Sequence, residues 1–480
     1  MPIAERTFSF EDQEQFAHLS GDRNPMHMDP LAARRTQAGA PVVHGMHLLL
    51  WSLNALLQQH PELKGVQRVR AQFQKFVLVG ERAATELLSI KANTARWIVS
   101  VDGGARCKFV ASFAPDAKEL QEQDADDSAE AGMAPPASAL ELSFVDLPNR
   151  TGLLRIPSAT VQGMARMYPA AAEGIGARRM GSLAISSTLV GMVCPGLHSI
   201  YGELTVDAAP QSSGTLHYQV TETDERFRTV SMEIAGGGWT GNVEAFLRTP
   251  PVRQSSMEEL RGRFAADQFQ GERVLIVGGS RGLGELTAKL LASGAAQTWI
   301  TYRSGRADAE QVAGEIAAAG GVCHPVQWDA TEPPEKLLAQ LGEVPTQVYY
   351  FATPAIFRPQ ARIYEPERLQ GFLQVYVDGF WRLVEALRSI QPQVRFYYPS
   401  SVSVSERPQG MTEYTMAKAA GEILCADINE QLAPTRVVMT RLPRLATDQT
   451  ASVTAVETES AVDVMAGVIR AMHEDSSHED

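Results

Sequence analysis

The chain has 480 residues, of which 44% are hydrophobic and 21% charged, and its formal net charge at pH 7 is −13. This length exceeds one ordinary core and points to about two to four domains of globular composition. The acidic balance argues against a nucleic-acid binder or a binder of anionic membranes, and leaves room for an anionic cofactor in a local basic pocket.

The N-terminus, MPIAERTFSFEDQEQ, has no apolar core and does not read as a signal peptide. No apolar run approaches the roughly 18 residues of a membrane span. The cysteines (Cys107, Cys194, Cys323 and Cys425) are scattered without a CxxC, so reduced thiols in a cytoplasmic protein are expected. Residues 1–114 form the first expected domain. They hold one strongly apolar helix, VVHGMHLLLWSLNALLQQ (42–59), followed by strand-like VRAQFQKFVLVGE, TELLSIKA, RWIVSVDGG and CKFVASF.

Ahead of the helix stands SGDRNPMHMDP (20–30). In an unbroken helix Asp22 and His27 would point away from each other, because helical neighbours are three and four apart. Asn24-Pro25 disfavours helix and favours a turn, which brings carboxylate and imidazole to one spot as an acid/base pair. Taken alone, the two residues also fit a turn cap and a surface histidine. His27, Asp29, His44 and His47 admit a metal reading, but no cysteine or organised carboxylate accompanies them, and no metal is expected. Met46, Leu48, Leu49, Leu50 and Trp51 read as core.

The segment FAHLSGDRNPMHMDPLAARRTQAGAPVVHGM resembles the MaoC-like (R)-specific enoyl-CoA hydratases and dehydratases of the hotdog fold. The match runs through GDxNPxHxD, the trailing Ala-Arg and the HGM that starts the helix. The resemblance implies a long helix wrapped by an antiparallel sheet, with Asp22 and His27 as the acid/base pair. It also implies addition of water to a trans-2-enoyl thioester, or its removal from an (R)-3-hydroxyacyl thioester. Such chemistry needs a base for the α-proton, an acid for the departing hydroxyl and a donor for the enolate-like thioester oxygen. Gly45, at the helix N-terminus, offers its N–H and the helix dipole for the last task. Asn24 and Ser20 are expected to steady the loop, and His44 and His47 to line or support the helix start.

Residues 115–138, PDAKELQEQDADDSAEAGMAPPAS, are acidic and rich in Ala and Pro, and read as a linker. Residues 139–250 repeat the first plan. LAISSTLVGMVCPG (183–196) is the expected helix, followed by SIYGELTV, GTLHYQVTETD, TVSMEIAG and NVEAFLR. The repeat is one of pattern rather than residues. It has no second GDxNPxH, and its His198 has no carboxylate at the matching distance. Duplicated hotdog dehydratases imply that such a half supports the other and shapes the acyl tunnel. The expected fold of this part is an α+β double hotdog. Residues 251–272, after Pro-Pro, read as a second linker.

Residues 273–472 alternate short apolar strands with helices: RVLIVGG, QTWITYR, CHPVQWD, QVYYFAT, RFYYPSS and VVMTRL. That order predicts an α/β, Rossmann-type, doubly wound parallel sheet. VLIVGGSRGLGE places Gly278, Ser280, Arg281, Gly282, Leu283 and Gly284 between strand and helix, where a backbone can approach a pyrophosphate at a helix N-terminus. Arg303 ends the next strand, where an acidic residue would hold a 2′-hydroxyl. With Arg281 it favours NADP(H) over NAD(H), a solvated loop arginine being the bland alternative. Tyr414 and Lys418 of EYTMAKAA share one helix face, and Ser401 lies thirteen residues before Tyr414 at a strand end. A hydroxyl, a phenol and a cation beside a dinucleotide are what carbonyl reduction requires.

This block resembles the short-chain dehydrogenase/reductase family over nearly all of its length. The resemblance implies Ser401, Tyr414 and Lys418 as catalytic residues, the last two also touching the cofactor, and Asp329 of QWDAT near the adenine. Three departures stand out. The family's usual Asn aligns with Tyr376 in VYVDGF. The strand-four motif reads FATP (Phe351 to Pro354). After VVMTRLPRLATD the usual last strand and glycine-rich end are missing. Residues 473–480, HEDSSHED, read as a disordered tail.

Together the blocks imply a bifunctional enzyme of fatty-acid or polyketide-like metabolism. It would reduce a 3-oxoacyl thioester with NADPH and dehydrate the product, with CoA or acyl-carrier-protein thioesters as substrates. A homodimer is compatible with this reading. Two other readings remain open: a hydratase joined to a degenerate nucleotide-binding module, and a non-catalytic acyl-carrier-binding scaffold.

Overall fold

Along Thr215–Asp224 the side chains of Leu216, Tyr218 and Val220 turn inward while His217 and Gln219 face water. Such two-residue alternation marks a half-buried strand. Ten strands of this kind form one antiparallel sheet in the first of two units, which runs to Pro250 in the computed structural model. The structure describes residues 2–36, 38–114, 132–210, 213–354, 356, 363–445 and 459–474. Most of the expected acidic linker (115–131) and the tail from 475 onward lie outside the described residues.

The strands are β1 (Ala4–Thr7), β2 (Val66–Phe73), β3 (Arg82–Lys91), β4 (Thr94–Val101), β5 (Gly104–Phe113), β6 (Thr151–Arg155), β7 (Ser199–Ala208), β8 (Thr215–Asp224), β9 (Thr229–Gly236) and β10 (Trp239–Leu247). Their order is β1-β3-β4-β5-β2-β7-β10-β9-β8-β6. Taken from each edge inward, the two halves have the same topology, and they join where β2 pairs antiparallel with β7. Each half carries one long helix, Gly45–Gln59 and Ala177–Thr188. The unit is a hotdog-like antiparallel sheet with helices. The short β1 and β6 and the helices Ser158–Met167 and Pro169–Ile175 add to the elements expected from the sequence.

Helix Gly45–Gln59 is apolar nearly all round, and Met46, Leu48, Leu49, Leu50 and Trp51 are all buried. A helix of that kind is stable only when protein encloses it. Trp97 of β4 anchors it by donating its indole N–H to Ser52 Oγ at 2.9 Å. The second long helix starts earlier than 183, at Ala177, and ends at Thr188. A π-helical turn, Leu189–Val193, follows, and Pro195 can prolong no helix. The end of the expected first linker is not free: Met133 donates to Leu153 O at 2.7 Å beside β6.

From Pro251 the second unit holds β11 (Arg273–Val277), β12 (Gln297–Tyr302), β13 (Val322–Gln327), β14 (Gln347–Tyr350), β15 (Arg395–Ser401) and β16 (Arg436–Leu442). All pairings are parallel, in the order β13-β12-β11-β14-β15-β16. This is the doubly wound Rossmann-like order, with its crevice where the order reverses beside β11 and β14. Residues 251–272 are not a free linker. Leu260, Phe264 and Phe269 are buried in this unit's core, and the two rings meet edge-on at 4.9 Å. Three large apolar side chains in a polar stretch suffice to pin it down. The last helix, Ala461–Glu474, runs past the expected boundary at 472. There His473 donates from Nδ1 to Ile469 O at 2.7 Å and meets the Gln347 amide at 2.9 Å.

No helix among the described residues is long and apolar enough to cross a membrane. The cysteines are unpaired.

Candidate active sites

Gly21, at φ +84°, ends helix Phe10–Ser20 in the left-handed conformation, and Asn24 caps the single turn Pro25–Met28 by accepting from Met26 N–H at 3.0 Å. Between these two caps the chain reverses. Asp22 and His27 thereby come to one place, where they line a cavity of about 260 Å³ together with Gly45. Gly45 is the first residue of its helix, so its N–H has no acceptor within that helix. A Cβ there would meet the Phe73 ring at 3.0 Å, which keeps the position bare.

Asp22 is buried, with Ser187 O–H donating to Oδ2 at 2.6 Å and Asn24 N–H to Oδ1 at 3.2 Å. Burial raises its pKa above the ordinary carboxyl value, opposed by the nearby His27 and by the Ser187 and Asn24 hydrogen bonds. His27 donates from Nδ1 to Val42 O at 2.7 Å, so in the neutral ring Nε2 carries the lone pair. His44 stacks on His27 with ring centroids 3.9 Å apart. Its Nε2 faces Asp22 O at 3.1 Å and its Nδ1 faces Gln13 Oε1 at 3.0 Å. Burial first, then the neighbouring histidines, drives its pKa well down and keeps it neutral.

His47 is buried against Phe16 and Phe8, and burial followed by the Arg6 charge pulls its pKa down to about 3. It supports the helix start as a neutral ring. Asp29 caps Pro30–Ala33 through the N–H groups of Leu31 and Ala32. Asp22, His27 and His44 lie close enough to ligate an ion. Yet both His44 nitrogens and His27 Nδ1 already face protein oxygens. An ion there would have to compete with these contacts.

A third of the residues lining the cavity come from the other half of the unit, among them Ser187, Val190, Gly191, Tyr201 and Phe246. Gly191, in the π-helical turn, lies so close to Asp22 that a Cβ would stand 2.5 Å from Oδ1. Asn24 ties the two halves by donating from Nδ2 to Gly191 O at 2.6 Å. Ser20 helps as well: its Oγ accepts from Asp22 N–H at 3.1 Å and its carbonyl from Thr188 O–H at 2.5 Å. Ser187 and Gly191 were not expected from the sequence. The signal available was a run of small polar residues, Ser186-Ser187-Thr188, inside a buried helix. His198 does find a carboxylate, Glu141 at 3.1 Å, but it does not line the cavity.

In the second unit, Gly278 (φ +79°) and Gly282 (φ +59°) shape the loop between β11 and helix Gly282–Ser293. A Cβ on Gly284 would lie 2.3 Å from Gly278 O, so the helix closes directly on the loop. Ser280 and Leu283 belong to this loop and helix start, and Arg281 is the N-cap residue. Thr301 of β12 braces the loop, accepting from Gly278 N–H at 3.0 Å. Arg303 and Asp329 meet at the ends of β12 and β13, Nε to Oδ2 at 3.7 Å, with Arg303 largely exposed. Such a cradle of bare backbone at a helix N-terminus, with a guanidinium at the next strand end, fits a dinucleotide phosphate.

At the end of β15, Ser401 hydrogen-bonds the Tyr414 phenol and pulls its pKa down, against a larger upward push from burial. Lys418, one turn along the helix Thr412–Gln431, is buried and donates to Pro399 O at 2.6 Å. Burial pulls its pKa down to about 7, with Cys425 and Glu422 acting the other way. Ser401, Tyr414 and Lys418 thus form one cluster at the C-terminal end of the sheet.

The two units define a hotdog protein joined to a short-chain dehydrogenase/reductase fold. Residues 2–104 match the MaoC like domain and residues 273–442 match the KR domain. The chain carries a MaoC-like domain at its N-terminus and a KR domain, of short-chain dehydrogenase/reductase type, at its C-terminus. Peroxisomal multifunctional enzyme type 2 of Drosophila melanogaster is 33% identical over 79 residues, a stretch that spans 16% of this chain and 13% of that protein. Among solved structures, a short chain dehydrogenase from Burkholderia cenocepacia in complex with NADP is 23% identical. The similarity covers 42% of this chain and 91% of that one, with a TM-score of 0.39. FolM alternative dihydrofolate reductase 1 from Brucella canis, complexed with NADP, is 20% identical over 38% and 74% of the two chains, with a TM-score of 0.34.

Proposed function

We propose that this chain is a bifunctional acyl-thioester enzyme of fatty-acid or polyketide-like metabolism. Its KR domain reduces a 3-oxoacyl thioester, and its MaoC-like domain removes water from the resulting (R)-3-hydroxyacyl thioester or adds it back to the trans-2-enoyl form. The thioester is carried by CoA or an acyl carrier protein, and the compartment is the cytoplasm. The observation that carries this reading is the convergence of Asp22, His27 and the helix N-terminus at Gly45 on one cavity.

In dehydration one member of the pair takes the C2 proton, and the other protonates the C3 hydroxyl, which leaves as water. Asp22, raised by burial, holds a proton more readily than a surface carboxyl, and His27, whose Nδ1 is committed to Val42 O, presents Nε2 for proton exchange. Both groups line one cavity, so both can exchange protons with the same bound thioester. The helix N-terminus at Gly45 meets the charge that builds on the thioester oxygen.

In the KR domain the Gly278–Gly284 loop would hold the pyrophosphate of a nicotinamide cofactor, and Arg281 and Arg303 its 2′-phosphate, which favours NADP(H). The cofactor supplies hydride. Ser401 orients the substrate carbonyl, Tyr414 gives its phenolic proton to the oxygen, and Lys418 stabilises the phenolate left behind. Incubation with a 3-oxoacyl-CoA and NADPH should yield enoyl product by mass spectrometry. Tyr414→Phe should stop NADPH oxidation, and Asp22→Ala should stop hydration of crotonyl-CoA. Equal hydration rates for wild type and Asp22→Ala would overturn the dehydratase half of the reading.

A further inference from the structure

Tyr376 and the FATP stretch, the two internal departures from the reductase pattern, touch each other. Tyr376 O–H and Thr353 Oγ1 lie 2.5 Å apart. The Lys418 ammonium stands 3.9 Å from the centre of the Tyr376 ring, with the Tyr398 and Tyr414 rings at 5.0 and 6.0 Å. We propose that Tyr376 is a positioning residue for Lys418: its ring face holds the buried ammonium beside Tyr414, and Thr353 locks that ring in place. The catalytic consequence rests on the reductase reading; the contact itself does not.

A buried cation is costly unless something compensates it. Lys418 has three N–H groups, and Pro399 O takes one of them. Glu422, on the same helix, is committed elsewhere, accepting from Arg441 at 2.8 and 2.7 Å and from Ser400 at 2.5 Å. The remaining compensation comes from aromatic faces, which attract a desolvated ammonium strongly. Tyr376 is well fixed for the task. Phe372 stacks on it at 5.7 Å, and its own carbonyl accepts from Tyr398 O–H at 3.1 Å. It lies in a π-helical turn, Gln374–Gly379, whose extra residue widens the helix at that point. Gly379 lets this turn pack closely, since a Cβ there would stand 2.4 Å from Ala330 O.

The other titratable groups facing Lys418 are Tyr398 from β15 and Tyr414, Glu422 and Cys425 from its own helix. The Cys425 thiol, pushed up to about 12 by burial, stays neutral. Arg441 holds Glu422 below the usual carboxylate range, so it stays charged. Neither changes charge near neutral pH, and a titration there reports Lys418.

The test follows Lys418 by NMR in the full chain carrying [ε-13C]lysine, without cofactor, with its signal assigned from Lys418→Arg. Tyr376→Leu should lower the Lys418 midpoint by about one pH unit, a roughly tenfold change in proton affinity. Tyr376→Phe keeps the ring face and should leave the midpoint within about 0.3 of wild type. Thr353→Val, at an exposed position, loosens the ring without emptying the core and should move the midpoint down less than Tyr376→Leu does. In turnover, the alkaline limb of NADPH oxidation should fall with the midpoint in Tyr376→Leu, lowering kcat more than KM. A midpoint unmoved by both Tyr376→Leu and Thr353→Val overturns the proposal, as does Tyr376→Phe acting as strongly as Tyr376→Leu. If the midpoint shifts while wild type oxidises no NADPH with any 3-oxoacyl thioester, the positioning role stands and the reductase reading fails.

Discussion

Ser187 reaches Asp22 from the other half of the sheet, and its removal has a calculable effect. The hydroxyl donates to Oδ2 at 2.6 Å with both residues buried. A hydrogen bond to a charged group contributes about 1.5–3 kcal/mol, so Ser187→Ala should withdraw about that much from the ionised form of Asp22. Burial already holds the Asp22 pKa above its ordinary value, while the Ser187 hydroxyl pulls it down. Alanine therefore pushes it higher. A carboxyl whose pKa is higher folded than unfolded favours the protonated folded chain. Stability then falls as pH rises from the unfolded value through the folded one, and levels off above it. Ser187→Ala extends that fall to higher pH. Its cost should be greatest once Asp22 is ionised and smaller in acid.

Urea unfolding of wild type, Ser187→Ala, Asp22→Asn and the double variant, at several pH values, measures this as a cycle. The alanine should cost much less in the Asp22→Asn background, where no carboxylate remains to stabilise. In crotonyl-CoA hydration the limb that reports Asp22 should move to higher pH. A coupling energy below about 0.5 kcal/mol, or a loss equal at acid and neutral pH, would refute a role for this hydrogen bond.

Gly191→Ala places a Cβ 2.5 Å from Asp22 Oδ1; overpacking of this kind costs about 1–3 kcal/mol. Thermal unfolding should show that loss and hydration kcat should drop, whereas a wild-type rate would mean the turn has room. Gly284→Ala drives a Cβ to 2.3 Å from Gly278 O. NADPH affinity, read by fluorescence titration, should weaken by at least about tenfold (about 1.4 kcal/mol) with hydration untouched. Arg303→Glu turns an attraction for a 2′-phosphate into a repulsion. It should raise the Kd for NADPH and leave that for NADH nearly unchanged, and equal losses for both would remove Arg303 from the phosphate site.

What could be read from the sequence was whatever local pattern encodes. Strand alternation, the apolar helix after His44 and the βα order of the second unit are repeated every few residues, so they survive without knowledge of contacts. The meeting of Asp22 with His27 was legible for the same reason, because Asn24-Pro25 encodes the reversal locally. Ser187 was not, since its partner lies 165 residues away and its own neighbours give no hint of a carboxylate. The segment 251–272 was misread as a linker because its few apolar side chains, Leu260, Phe264 and Phe269, are diluted by charge, and only the core they enter reveals them. Tyr376 was visible as a departure from a pattern, but its meaning depended on Thr353 and Lys418, which two other segments of the chain bring to it.

Each long helix packs against a segment of the other half, a loop at one crossing and the helix Pro169–Ile175 at the other, and the two crossings differ chemically. At one, Ser187 and Gly191 leave space for a carboxylate and a cavity beside it. At the other, Asn54 Oδ1 accepts from Ala170 and Ala171 N–H at 3.0 and 3.2 Å. There Leu57 fills the space before Gly174, whose Cβ would stand 2.5 Å from it. A close-packed apolar contact admits no ligand. At that crossing the second half presents a packed contact, while its long helix lends a wall and a hydrogen-bond donor to the cavity of the first. On the proposed reading, Asp22 and His27 on one half and Ser187 and Gly191 on the other make up a single hydratase centre built from both halves. On this view Asp22→Ala should leave no residual hydration for a second centre to supply, and a remaining rate that depends on His198 would show that the other crossing still works.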